Sequence, residues 1–240
     1  MSDVDKQRGE AMEAELGEDA VFVAADVTDY DQQASLFETV WAKWKRIDFV
    51  AANAGIIDTH SIYTPTSPKA GVAPPKPILE TVDVDLKGAI YTVYLALHYF
   101  RQHPVAPGGK ITVTASSSAL YPLESVPLYS AAKSGVVGLV RAMAPRLKAE
   151  NITINCLCPG IISTRLTERL MSLIPTEAIT PIETVMKCYD RFINGDETGC
   201  TAEVSKDQIY LRDQPEYADE WQRWQAENLP ELGRLGREKK

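Results

Sequence analysis

Short apolar runs, each closed by a polar or glycine-bearing group and separated by helical periodicity, constrain this chain most. They lie at residues 20–25, 47–52, 110–115 and 152–159. Runs of this length, rich in β-branched side chains, read as buried strands. Strands that alternate with helices read as a parallel sheet. The helical stretches are 4–16, stopped by Gly17; 30–44, with Leu36, Phe37, Val40, Trp41 and Trp44 on one stripe; 78–102; and 126–144, which Pro145 should kink or end. Ligands of open parallel sheets bind beyond the carboxyl ends of the strands. There this chain carries Asp26-Val27-Thr28, Asn53-Ala54-Gly55, Ser116 and Pro159-Gly160.

Tyr129 and Lys133 open the helical stretch that follows Ser116, and their spacing of four points both from one side of a helix. An ammonium beside a phenol favours the phenolate. Tyrosine ionises near pH 10, so a base working near neutrality needs a drop of about three units, or roughly 4 kcal/mol. One lysine does not supply that; a cofactor cation and a dry pocket would have to help. The spacing alone also suits an ordinary pair covering a helix surface.

The pieces together resemble the short-chain dehydrogenase/reductase family over residues 3–159. The matching residues are Asp26-Val27-Thr28, Asn53-Ala54-Gly55, Ser116 with Tyr129 and Lys133, and Pro159-Gly160 followed by Thr164. Stretches 120–122 and 138–141 look closest to the NAD-dependent 15-hydroxyprostaglandin dehydrogenase-like branch. The resemblance implies a Rossmann-like, doubly wound α/β sheet and the interconversion of a secondary alcohol and a ketone with NAD. Tyr129 would then be the general base or acid, Ser116 would hydrogen-bond the substrate oxygen, and Lys133 would bind the nicotinamide ribose and lower the phenol's pKa. Asp26 and Val27 would touch the adenine, and Asn53, Ala54 and Gly55 would let backbone approach the cofactor. Pro159 and Gly160 would border it, and Thr164 with the backbone of Ile162 would hold the carboxamide. Asp3 stands where the family places the acid that binds the adenosine ribose, which favours NAD over NADP. As a plain sequence feature Asp3 is equally a helix N-cap, with Ser2 and Asp5 competing for the role.

Two departures from the family pattern stand out. Asp85 occupies the place of an asparagine that helps hold a water linking the lysine to solvent. A carboxylate there lacks the N–H, stabilises the Lys133 ammonium and opposes a Tyr129 phenolate. The second departure is larger: the family's opening strand, glycine-rich turn, first helix and second strand have no counterpart in residues 1–240, and no G-x-x-x-G-x-G occurs. That turn would offer N–H groups to the cofactor pyrophosphate. The expectation is a truncated sheet lacking a central strand between 21–24 and 49–52, with an apolar edge on each side. Five lost side chains at about 1.5–3 kcal/mol each compare with the roughly 5–15 kcal/mol that keeps a domain folded. Two functions compete: the body of an NAD-dependent alcohol dehydrogenase, or a non-catalytic short form that cannot hold dinucleotide and acts through subunit association.

Composition narrows the partners. With 45% hydrophobic residues in 240, the chain suits one α/β domain over 1–213 and a polar tail over 214–240, where Trp221 and Trp224 stand at helical spacing. A net charge of −8 and a pI near 5.0 argue against nucleic acid or an anionic membrane as partner. The longest apolar stretch, 88–100, is too short to span a bilayer, and the N-terminus lacks a signal-peptide core. His60, His98 and His103 are scattered and the cysteines have no zinc spacing, so no metal is expected. Cys156, Cys158, Cys188 and Cys200 read as reduced packing thiols, which fits the cytoplasm. A small alcohol or ketone would sit between the proline-rich loop 58–78 and the segment after Thr164, where 166–174 and 182–193 read as helical and 201–212 holds a last strand. The resemblance implies a homodimer or homotetramer through 78–102 and 126–144, and the small residues Ala131, Ala132, Ser134, Gly135 and Gly138 permit close approach there.

Overall fold

The computed structural model describes residues 1–63 and 70–238; positions 64–69 of the proline-rich loop and the last two of the tail lie outside them. The chain opens with β1 (Ser2–Asp3), α1 (Lys6–Leu16), β2 (Val23–Ala24), α2 (Tyr30–Trp44) and β3 (Phe49–Ala52). A helical rod follows: α3 (Glu80–Val82), a π-turn (Asp83–Gly88) and α4 (Ala89–Phe100). Then come β4 (Gly109–Thr114), α5 (Pro127–Lys148), β5 (Ile152–Pro159), α6 (Ile182–Asn194), the hairpin β6 (Thr201–Ser205) and β7 (Gln208–Leu211), and α7 (Glu220–Glu238).

The sheet forms in two pieces. Strands β3 to β7 pair in sequence order as five strands, with β3 to β6 parallel and β7 antiparallel. Strands β1 and β2 pair in parallel as a separate two-stranded piece. Side-chain alternation on β5 explains the layers. Ile152, Ile154, Cys156 and Cys158 face one core with Phe37 of α2, Val93 and Phe100 of α4 and Val136 and Val140 of α5. Leu157 faces the opposite core with Val185, Cys188 and Phe192 of α6 and Ala202 and Val204 of β6. These central strands are buried on both faces, as a parallel sheet requires.

Helix α2 matches its expected bounds because its signals are local: the Asp29 side chain caps the Asp31 and Gln32 N–H groups, and Phe37 anchors the stripe in the core. Other expectations are corrected. The run 20–25 pairs only over Val23–Ala24, and Ser2–Asp3 covers one of its edges. The break in the sheet therefore falls between β1 and β3, not between 21–24 and 49–52. A cavity of about 780 Å³ fills that break, lined by Met1 to Val4, Val27, Leu36, Val40, Phe49, Val50 and the turn Asn53 to Gly55. Helix α5 runs past Pro145 to Lys148, drawn on by Leu147, which is 3% exposed in the core. The run 201–212 splits into a hairpin because Lys206 takes a left-handed backbone, φ 53°. Residues Glu168–Leu173 wind as a 3₁₀ helix, and most of the polar tail folds as α7.

Candidate active site

Ser116 follows the end of β4 in extended backbone and caps a 3₁₀ turn, its hydroxyl accepting from the Ser118 N–H at 3.2 Å. Tyr129 lies in the first turn of α5 and Lys133 one turn on. The structure brings the three together. Ser116 lies near enough to the Tyr129 phenol to favour its ionised form, and the Lys133 Nζ lies 5.6 Å from the centre of the Tyr129 ring. That ammonium is 3% exposed and doubly held: it donates to the Thr114 carbonyl at 2.9 Å and lies 3.1 Å from Asp85 Oδ2.

Asp85 reaches this position from the π-turn, where the widened backbone carries a buried carboxylate toward α5. Its Oδ1 accepts from the Ile56 N–H at 2.8 Å, so the carboxylate joins the loop after β3 to the helix that bears Tyr129. Burial pushes the Asp85 pKa up, and Lys133 and the Ile56 N–H pull it back only in part. Burial also pushes the Tyr129 phenol up; the Ser116 hydroxyl opposes this, and the Asp85 charge adds to the push. The spacing argument expected Lys133 to draw the phenol down. Burial dominates and the Asp85 charge adds to it, so the net direction here is upward.

Six of the residues expected at the cofactor border one cavity. Asp3, Asp26, Val27, Asn53, Ala54 and Gly55 all line the cavity between β1 and β3. Asp5 is the N-cap of α1, its carboxylate accepting from Arg8 N–H, while Asp3 lies on β1 and accepts from the Asp5 N–H at 2.9 Å. Gly55 packs closely on the pair of Asp85 and Lys133: a Cβ there would lie 3.1 Å from Asp85 Oδ2 and 3.2 Å from Lys133 Nζ, tighter than ordinary contact. Thr114 steadies the turn, donating to Asn53 Oδ1 at 2.7 Å while the Tyr189 hydroxyl of α6 lies 2.7 Å from the same Thr114 oxygen.

Pro159, Gly160, Ile162 and Thr164 lie outside that cavity lining, along the chain leaving β5. The Ile162 carbonyl is taken by the Thr167 hydroxyl, and the Thr164 N–H donates to the same hydroxyl at 3.1 Å. Arg165 then crosses to Asp5 at 3.1 Å, which brings this segment to the first turn of α1. Sequence reasoning missed Thr114, Ile56, Tyr189 and Asp58, whose roles come from contacts far apart in the chain. Among the described residues no group of three or more His, Cys, Asp or Glu side chains could hold a metal ion, all four cysteines are free, and no helix is long and apolar enough to cross a membrane.

The residues from Asp3 to Gly55 fit one end of a nicotinamide dinucleotide, since they border a cavity of about 780 Å³, and Gly55 leaves open the approach to Lys133. For the pyrophosphate, residues 1–240 hold no glycine-rich turn.

Comparisons with known proteins agree with the geometry. The family model described as short chain dehydrogenase matches residues 1–173. The short-chain dehydrogenase/reductase prx6 of Penicillium rubens is 43% identical over 204 residues, covering 83% of this chain and 68% of that protein. Its counterpart prx7 from the same organism is 34% identical over 245 residues, covering 92% and 86%. The 15-hydroxyprostaglandin dehydrogenase (NAD+) of Homo sapiens matches at a lower 28% over 152 residues, covering 62% and 51%. Among solved structures, a 3-ketoacyl-(acyl-carrier-protein) reductase from Brucella melitensis complexed with NADH shares the fold, with a TM-score of 0.71 and 22% identity over 85% of this chain and 84% of that one.

Proposed function

The chain belongs to the short-chain dehydrogenase/reductase family of oxidoreductases, and on that premise we propose that it interconverts a secondary alcohol and a ketone with Tyr129 as general base and acid. The observation that carries this reading is the assembly of Ser116, Tyr129 and Lys133, with Lys133 anchored on the Thr114 carbonyl at 2.9 Å. A bound nicotinamide supplies the hydride acceptor or donor. The Tyr129 oxygen takes the proton of the alcohol hydroxyl and returns it in the reverse direction. Ser116 hydrogen-bonds the substrate oxygen and stabilises the charge that develops on it. Lys133 would hold the nicotinamide ribose, Asp26 and Val27 the adenine, Asn53, Ala54 and Gly55 the backbone-lined middle, and Pro159, Gly160, Ile162 and Thr164 the carboxamide end. Asp3 would repel a 2′-phosphate, so NAD is preferred over NADP.

The subunit works in the cytoplasm as a homodimer or homotetramer. Exposed Ile90 and Tyr94 on α4, and Gly138 on α5 with open space before it, support that association. Incubating the purified chain with NAD and a panel of secondary alcohols, and following NADH absorbance, tests the activity. Reduction of NAD that vanishes in Tyr129→Phe is the expected result.

The sheet break favours a second reading. With a cavity of about 780 Å³ between β1 and β3 and no glycine-rich turn in residues 1–240, this chain would fail to hold dinucleotide alone and act only by associating with another subunit. Failure to bind NADH would select it.

A further inference from the structure

We propose that Asp58 is a positioning residue for the proposed reaction, clamping the first turn of the Tyr129 helix to the loop that follows β3. This inference rests on reading Tyr129 as the base. Helix α5 begins without a cap of its own: Val126 is the N-cap residue and offers no side-chain acceptor, and Pro127 takes the next position. The Leu128 and Tyr129 N–H groups, second and third in the helix, would be left to water. Asp58 supplies the acceptors from outside the helix. Its Oδ2 accepts from Leu128 N–H at 3.0 Å and its Oδ1 from Tyr129 N–H at 2.8 Å. A carboxylate at this end also opposes the partial positive charge of the helix N-terminus.

The contact closes a ring. Two residues before Asp58, the Ile56 N–H donates to Asp85, and Asp85 pairs with Lys133 one turn further along α5. The loop 56–58 is thus tied to α5 at the backbone of Tyr129 and, through Asp85, at the side chain of Lys133. A cap borne by residue 126 would satisfy the same N–H groups yet leave the helix free to move against the loop. The outside carboxylate fixes the position of Tyr129 relative to Asn53, Gly55 and Ser116 as well.

The test compares Asp58→Ala, Asp58→Asn and Asp58→Ala/Val126→Thr, since threonine is nearly isosteric with valine and its hydroxyl can cap the same donors locally. The readouts are the melting temperature, the NMR signal of ring-labelled Tyr129 assigned with Tyr129→Phe, and kcat against KM. Asp58→Ala is expected to shift the Tyr129 signal and lower kcat by about ten- to a hundredfold with KM for the alcohol unmoved. Asp58→Asn should keep most of both, because its side-chain oxygen still accepts. The double variant should recover the melting temperature but neither the Tyr129 signal nor kcat. An unmoved Tyr129 signal in Asp58→Ala would overturn the clamp, as would recovery of signal and turnover together with melting temperature in the double variant. If the wild type shows no turnover the proposed function fails, while the Tyr129 signal still decides the role of Asp58.

Discussion

The two pieces of the sheet are built to different standards. Strands β4 and β5 are six and eight residues long, and their inward side chains are almost fully covered by α4, α5 and α6. Strands β1 and β2 are two residues each, with none of the four fully buried, and a cavity separates them from β3. Ser116, Tyr129 and Lys133 rest on the first piece. Asp3 and Asp26 belong to the second, and Asn53 to Gly55 face it from across the gap. The lesson is that the groups proposed for proton transfer are held by a continuous core, whereas the wall proposed for the adenosine is held by little.

The sharpest contrast is chemical. Tyr129→Phe should lower turnover by about 10²–10⁴-fold, the range for removing a general acid or base, while leaving the melting temperature near wild type. A residual rate close to wild type would place the chemistry elsewhere. Stability should divide the same way. Ile154→Ala, in the fully buried centre of β5, is expected to cost about 2–5 kcal/mol by denaturant titration. Val23→Ala in half-covered β2 should cost about 1 kcal/mol. Equal losses would mean that the two pieces form one cooperative core.

Asp85→Asn probes the boundary between them. The Tyr129 phenol lies above its ordinary pKa, partly through the Asp85 charge, so its base form accumulates only as pH rises. Removing that charge lowers the phenol's pKa and moves the rising limb of the oxidation rate to lower pH. A move of one unit would be worth about tenfold in rate at a fixed pH below the limb. An unmoved pH–rate profile would show that Asp85 does not act on Tyr129. The smallest effect belongs to Arg165→Ala. Arg165 is exposed and Asp5 only partly covered, so loss of the pair should change stability by under about 1 kcal/mol. A larger loss of melting temperature would show the segment after β5 bracing the weak piece.

What could be read from residues alone follows the same division. Helix α2 and strand β5 were legible because cap, stripe and alternation are local signals. Spacing put Tyr129 and Lys133 on one side of a helix, and the family resemblance implied that Ser116 joins them. The π-turn at Asp83–Gly88 was not, since its widened backbone places Asp85 on a lysine 48 positions away in the chain. Nor was the Asp58 contact, which spans 70 and 71 positions to its two donors. The net direction of the Tyr129 shift was not legible from spacing, because burial of the phenol, its largest cause, depends on packing from elements distant in the chain. The edge of the sheet break was misplaced because a two-residue strand at Ser2–Asp3 carries no periodicity to read.

Titration of the purified chain, residues 1–240, with NADH decides whether it holds a dinucleotide, with tryptophan-to-nicotinamide energy transfer as the signal. Saturable binding is expected of wild type and Tyr129→Phe alike, with ketone reduction lost only in the variant. Absence of binding by a folded wild-type chain would contradict the proposed activity and leave the non-catalytic reading standing.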